Sequence, residues 1–328
     1  MISFLARRLL YMVLTIWLIS IIAFMVIQLP PGDYVSQEVR RMIGQGVNVT
    51  PEMEAHLRHV YGLDQPAYVQ YFKWIRNIVV YGNFGRSMFS DADAGEYIID
   101  RFPMTFTVTL FTTMLVWIIA LPIGIYSAVR QYTVGDYFFS FLSFIGLGVP
   151  NFLLALVCLY VAFKVFDVSA IGLYSAEFED APWTFAKALD LGRHLLVPAI
   201  VIGLGSTAGL VRTMRANLLD ELSKPYVETA RAKGLSERRL LLKYPVRHAL
   251  NPFISTLGWM LPALVSGEVI VSIVLNLPTT GPILYTALRG QDMFLAAGLI
   301  LVLSSLTVVG TFVSDVLLAW LDPRIRYL

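Results

Sequence analysis

Three stretches of this sequence, 9–29, 104–129 and 137–163, run for more than twenty residues without a charged side chain, and a fourth begins at 293. A helix needs about 20 apolar residues to cross about 30 Å of hydrocarbon, so each stretch is long enough to span a membrane. The fourth continues past Asp315 and gives a span at 293–321. Two further candidates are 194–213, whose core carries Gly203, Gly205 and Gly209, and 252–277, interrupted only by Glu268. Irregular backbone facing lipid would leave its polar groups unsatisfied. The expected fold is therefore an all-α integral membrane protein with six transmembrane helices. Composition agrees: 57% of the residues are hydrophobic and 15% charged, against about 25% charged in a soluble domain.

Lys and Arg fix the orientation, because short cytoplasmic segments carry an excess of them. The segment 212–251 holds nine such residues against four acids, while 167–193 holds five acids against two bases. Arg7 and Arg8 at the start, Arg130 after the second span, and Arg324 and Arg326 in the tail fall on the basic side when there are six crossings. Both termini, 1–8 and 322–328, are expected in the cytoplasm with the loop 214–251. The loops 30–103, 164–193 and 278–292 are expected outside. The first span ends in Gln28-Leu-Pro-Pro-Gly-Asp33, without the small-residue site of a cleavable signal, and is read as an uncleaved anchor. A net charge of +2 gives no basic face for nucleic acid. A single cysteine, Cys158, excludes an internal disulfide.

The long external segment 30–103 has two helix signals. Thr50 reads as an N-cap with Pro51 at the first helical position and Glu52 and Glu54 in the first turn; Gly62 reads as the exit. The run 65–76 is amphipathic, with Tyr and Trp expected as interfacial anchors. His56 and His59 share a helix face but lack a third ligand at metal-site spacing, so no metal site is expected. This region reads as a cap over a pore mouth.

Catalytic motifs are missing from the chain. There is no G-x-x-x-x-G-K-[ST] phosphate loop, no H-E-x-x-H and no G-x-S-x-G. The glycines at 203, 205 and 209 lie inside an apolar span with no strand before them, and Gly205 and Gly209 read as a close helix-packing face. The chain is expected to be no enzyme and to carry no cofactor.

The segment 222–234 is more specific. Pro225 suits the first turn of a short helix, Glu228 its positive end, and Arg231 and Lys233 its negative end. Gly234 permits a left-handed exit. Val227, Ala230 and Gly234, three and four apart, form a narrow face of small residues that would admit another protein close to the backbone. Ser236 then starts a second helix through Leu240, Leu241 and Tyr244. Read on charge alone, the same segment is a basic loop obeying the orientation rule.

The string Glu228-Thr229-Ala230-x-x-x-Gly234 resembles the E-A-A-x-x-x-G loop of the inner-membrane permease subunits of binding-protein-dependent ABC importers. The fuller run from Tyr226 to Leu235, with Arg247-His-Ala-Leu-Asn-Pro252, is similar to their dipeptide and oligopeptide branch. Further stretches at 4–10, 61–71, 82–87 and 321–326 carry the resemblance nearly end to end, and it is to the subunit type with a large outside loop after the first span. The resemblance implies a type I ABC importer permease with a coupling helix formed by Tyr226, Val227, Glu228, Thr229, Ala230, Arg231, Ala232, Lys233 and Gly234. It also implies a second homologous permease subunit, an external solute-binding protein, and two ATPase subunits that hold the ATP and Mg. Asn276-Leu-Pro-Thr-Thr-Gly281 departs from the W-P-G-x-G-like turn of many peptide permeases, and Tyr244–Arg247 departs from I-x-L-P. Members of the branch serve oligosaccharides as well as peptides, so both substrates stay open.

Two other classes stay open beside the importer. A proton-coupled secondary transporter would use Glu268, because an ionisable group inside a membrane is functional by default. A structural subunit would need no chemistry. Pro150 frees backbone groups in the third span, so a kink that puts Asn151 on a pathway is expected. Asp315, near the end of the sixth span, reads as an interfacial structural acid.

Overall fold

The computed structural model describes residues 2–28, 32, 34–87, 93–166, 170–255 and 269–321. Nearly all of them are helical: α1 (Ile2–Gln28), α2 (Tyr34–Gly44), α3 (Pro51–Val60), α4 (Ala67–Tyr81), α5 (Ala94–Val129), α6 (Val134–Gly148), α7 (Asn151–Phe166), α8 (Phe185–Leu222), α9 (Pro225–Ala232), α10 (Glu237–Lys243), α11 (Pro245–Ser255), α12 (Thr280–Arg289) and α13 (Met293–Leu321). Residues 269–274 are helical as well. Among the described residues the β-pairing is one isolated bridge between Arg86 and Asp93.

Among the described residues α1, α5, α8 and α13 are long and apolar enough to cross a membrane. The third expected span, 137–163, is the pair α6 and α7, bent by 109° at the break. Pro150 lacks the N–H that would continue the ladder. Val149 N–H closes α6 on Ile145 O at 3.0 Å, and Leu154 N–H restarts the ladder on Pro150 O at 3.1 Å. The kink expected from the sequence is thus a corner, with Asn151 opening α7. In the fifth expected span, 252–277, residues 256–268 lie outside the described residues, and Glu268 with them.

Two helices outrun their charge-free windows. α5 starts at Ala94, ten residues before its window, because Asp93 caps it by accepting from Gly95 N–H at 2.8 Å. α8 has 38 residues and is capped by Thr184, whose hydroxyl accepts from Lys187 N–H at 3.2 Å. The charges in its first turns are satisfied by the preceding loop. Asp190 accepts from Ser175 N–H at 2.8 Å and from Ser175 Oγ at 2.7 Å. Lys187 Nζ donates to the carbonyls of Glu179 and Ala181 and sits over the Tyr174 ring. Buried charge needs such partners, and here they let the helix continue where a charge count stops it.

The chain divides into two compact units. The first comprises Met1–Leu9, Thr105–Pro278 and Val309–Leu328; the second comprises Leu10–Met104 and Thr279–Val308. In the first, α8 packs along α6, α7 and α11. Glycines allow the close approach of its helices. A Cβ on Gly203 would lie 2.7 Å from Val116 Cγ2, and one on Gly124 2.6 Å from Met214 Cβ. Gly209 has nothing within 4 Å, and Gly205 meets only Gly146 O at 3.6 Å. The tightest of these contacts fall at Gly203, Gly124 and Gly146, whose Cβ would lie 2.8 Å from Leu204 Cγ; Gly205 faces the α6 backbone as expected, at ordinary contact distance, and the expectation is corrected at Gly209. Asp315 pairs with Arg8 at 3.1 Å.

In the second unit α4 packs its Tyr71 and Trp74 against Phe24 of α1 and Met293, Ala297 and Leu301 of α13. Phe24 and Tyr71 meet edge to face at 5.6 Å, and the Tyr71 hydroxyl bonds Ser20 Oγ at 2.9 Å. Tyr71 and Trp74 are core residues here and not the interfacial anchors expected. The large apolar and aromatic side chains α4 leaves exposed are Tyr68, Phe72, Val79, Val80 and Tyr81, so of the expected anchors only Tyr68 faces outward. The predicted start of α3 is observed: Thr50 caps it by accepting from Met53 N–H at 3.3 Å, with Pro51 in the first turn. Its C-cap is Tyr61, and Gly62 follows at φ +66°.

Candidate functional site

The eight-residue helix α9 begins and ends as its local sequence dictates. Lys224 is the N-cap, Pro225 occupies the first turn, and Glu228 lies near the positive end of the helix dipole. At the other end Lys233 is the C-cap and Gly234 has φ +76°. Gly234 N–H bonds Arg231 O at 3.0 Å and Leu235 N–H bonds Ala230 O at 3.3 Å, the paired closure of a Schellman motif. Leu235 then packs on the small cluster that the helix covers.

That cluster decides which face is presented. Val227 and Ala230 are buried against Leu240 of α10, with Tyr226, Leu235 and Tyr244 packed around them. Of the three small residues, Val227 and Ala230 are turned inward and covered by the chain itself, while Gly234 stays exposed. Burying these side chains supplies about 25 cal/mol per Å² of apolar area and leaves no cleft for a visitor. The exposed face carries Glu228, Thr229, Arg231, Ala232, Lys233 and Gly234. The nine residues singled out from the sequence thus separate by role, and the inward face is a correction to the expectation that small residues receive a partner.

Polar bonds hold the same helix on three sides. Glu221 in the last turn of α8 accepts from the Tyr226 hydroxyl at 2.5 Å and pairs with Lys224. Burial, and then the Glu221 carboxylate, push the Tyr226 phenol well above its ordinary range, so it remains a donor at physiological pH. The Tyr226 ring meets His248 of α11 edge to face at 5.8 Å. Arg231 donates to both oxygens of Glu237 in α10, at 2.6 and 3.3 Å, and this hydrogen bonding holds Glu237 below the usual carboxylate range. Glu221, Glu237 and His248 were not singled out from the sequence. Lys224 three residues after Glu221 is a visible helical spacing; the other pairings span turns between helices and leave no periodic signal.

Further along α8, Arg215 makes a forked pair with Asp136 of α6, Nε to Oδ1 at 3.2 Å and Nη2 to Oδ2 at 3.1 Å. Asp136 is buried and also accepts from Tyr132 N–H at 3.1 Å. α8 is thereby tied to α9 at its end and to α6 two turns earlier. Both ties are charge-assisted bonds, which are stronger and more directional than neutral ones. Asn151 is half-buried at the α6–α7 corner and is not brought together with α9. Among the described residues no three His, Cys, Asp or Glu side chains converge on a metal-sized site.

Comparison with known proteins follows the same outline. The family model described as "Binding-protein-dependent transport system inner membrane component" matches residues 120–327, and its N-terminal companion matches residues 1–109. The oligopeptide transport system permease protein AppB of Bacillus subtilis is 34% identical, covering all of both chains. The di/tripeptide transport system permease protein DppB of Pseudomonas aeruginosa is 30% identical over 100% of this chain and 99% of that one. A chain of the MetNI methionine ABC transporter, solved in inward-facing form, matches with a TM-score of 0.50 and 17% identity over 69% of this chain and 95% of that one. That last likeness shows the fold alone. With the family model covering most of the sequence and a relative matching end to end, this chain belongs to the inner-membrane permease components of binding-protein-dependent ABC transport systems.

Proposed function

We propose that this chain forms half of the pathway of an ATP-driven importer of short peptides, handed over by an external binding protein. A second permease subunit completes the pathway, and two ATPase subunits hydrolyse ATP with Mg. The chain crosses the membrane six times with both termini in the cytoplasm, and 30–103 caps the outside. The exposed face of α9, centred on Glu228, Thr229 and Ala232, docks on an ATPase subunit.

The observation that carries this reading is the mounting of α9: its small face is packed on α10, Glu221 and Glu237 clamp its ends, and one polar face is left bare. A surface loop serving only as a basic anchor needs no such rigid mount. Peptide is favoured over oligosaccharide because AppB and DppB, similar along their full length, are named for peptide transport. The test is uptake by the reconstituted complex with its binding protein, at constant ATP and with the proton gradient collapsed. Tripeptide should enter while maltotriose does not. Uptake that follows the gradient, or that prefers the sugar, contradicts the reading.

A further inference from the structure

The helix α4 carries more apolar surface than its packing uses. Its Tyr71 and Trp74 are buried in the cluster with Phe24 of α1 and Ala297 and Leu301 of α13. On the same helix Tyr68, Phe72 and Val79 are 66%, 62% and 76% exposed. At about 100° per residue these three fall within about 40° of one another, on a flank beside the buried face. Arg76 follows around the helix, one turn after Phe72, with Lys73 beyond it, and α4 has no acidic residue. A helix that meets water on such a flank carries polar side chains there.

The depth at which α4 is mounted decides what covers the flank. The charge-free run of α1 reaches residue 29 and that of α13 starts at 293, so the apolar layer extends to these two helix ends. With about 1.5 Å of rise per residue, Phe24 and Ser20 lie about 6 and 12 Å back from Gln28. Ala297 and Leu301 lie about the same distances in from Met293. Gln28 Nε2, at the end of α1, donates to Gln70 Oε1 of α4 at 3.1 Å, while the Tyr71 hydroxyl reaches Ser20 Oγ at 2.9 Å. The helix therefore sits at the polar edge of the apolar layer with its side chains about 12 Å into it. Interfacial helices bury their apolar faces about 5–10 Å deep. At the same level Ile22 and Met25 of α1 also face outward, the surface that a membrane-crossing helix gives to lipid.

We propose that α4 is embedded in the outer leaflet, with phospholipid acyl chains covering Tyr68, Phe72 and Val79 and with Arg76 reaching a headgroup phosphate above them. An arginine lays its stem along apolar surface and carries its charge to the polar edge in this way. The leaflet is the outer one on the orientation proposed above, and the lipid contact is independent of what the importer carries. The external segment 30–103 is then footed in the bilayer beside α1 and α13, through a face of α4 other than the one that holds Tyr71 and Trp74.

The test is spin-label accessibility in the assembled complex in phospholipid nanodiscs. In a Cys158→Ala background, nitroxides are attached one at a time through Phe72→Cys, Val79→Cys and Asn77→Cys, the last at an exposed position away from the flank. At 72 and 79, oxygen, which concentrates among acyl chains, should relax the label severalfold more than a water-soluble nickel chelate does. At 77 the order should reverse. Arg76→Glu should lower the oxygen-to-chelate ratio at 79 severalfold, because a carboxylate is repelled by phosphate. Chelate access at 72 and 79 equal to that at 77 puts the flank in water and overturns the proposal. Exclusion of both reagents from 72 and 79 means that a protein surface, such as the second permease subunit, covers the flank, and overturns it equally. An unchanged ratio in the Arg76→Glu variant overturns the phosphate contact. Reaction of Asn77→Cys with an impermeant maleimide on intact cells reads the side separately. Reaction in inside-out vesicles alone overturns the outer leaflet together with the proposed orientation, whereas failure of peptide uptake leaves the lipid result standing.

Discussion

The Tyr226 hydroxyl donates to Glu221 across 2.5 Å, joining the first turn of α9 to the last turn of α8. The two helices are separated by Ser223 and Lys224 alone, so this bond and the Lys224 pair convert a flexible junction into a stiff one. α8 itself continues for 38 residues, so on the proposed docking of α9 the junction is the place where movement would pass into it.

Removing that hydroxyl should loosen the junction without unfolding the chain. Tyr226→Phe keeps the ring against His248 and deletes one charge-assisted bond, about 1 kcal/mol at a half-exposed site. The complex should still assemble and hydrolyse ATP, but peptide transported per ATP should fall. An unchanged stoichiometry would show that the junction transmits nothing.

Gly234 carries a backbone constraint and no packing constraint. Its φ is +76° and a Cβ there meets nothing within 4 Å. Gly234→Val should cost about 1–2 kcal/mol or more in left-handed strain and impair coupling, while Gly234→Asn, tolerant of that region, should retain most of it. ATPase copurification and peptide-stimulated hydrolysis read both. Equal loss in the two variants would mean that the bare glycine surface itself is needed for docking.

Glycines within α8 should divide in the same way. Gly203→Ala places a methyl 2.7 Å from Val116 Cγ2, on a stiff β-branched neighbour. It should lower the thermal midpoint of the purified complex through overpacking of about 1–3 kcal/mol. Gly209→Ala meets open space and should be neutral or stabilising, since Ala is the better helix former. If Gly209→Ala proves the more damaging, the α5–α8 contact is misassigned.

These glycines also show what the sequence carried and what it did not. The turn at Gly234, the Thr50 cap and the corner at Pro150 were legible because each depends on a few adjacent residues and fixed φ preferences. Which of Gly203, Gly205 and Gly209 is crowded depends on Val116, far away in sequence. Val227 and Ala230 were recognisable as a face of small residues, but the direction of that face was set by Leu240 and Tyr244 across a turn. Trp74 was read as an interfacial anchor because amphipathic periodicity does not distinguish burial in lipid from burial against Phe24. The Asp136–Arg215 pair joins residues 79 positions apart and leaves no trace in local spacing. The family signature singled out the segment 226–234, while the long-range packing that mounts it became visible only in three dimensions.

The central claim, that the bare face of α9 docks on an ATPase subunit, is tested most directly by protection of a thiol at Thr229. In a Cys158→Ala background, Thr229→Cys should react rapidly with a maleimide in inside-out vesicles holding the permease subunits alone. It should become at least tenfold slower when the ATPase subunits are present, while Ser236→Cys, off that face, changes less. Equal reactivity at position 229 with and without the ATPases would contradict the docking of α9.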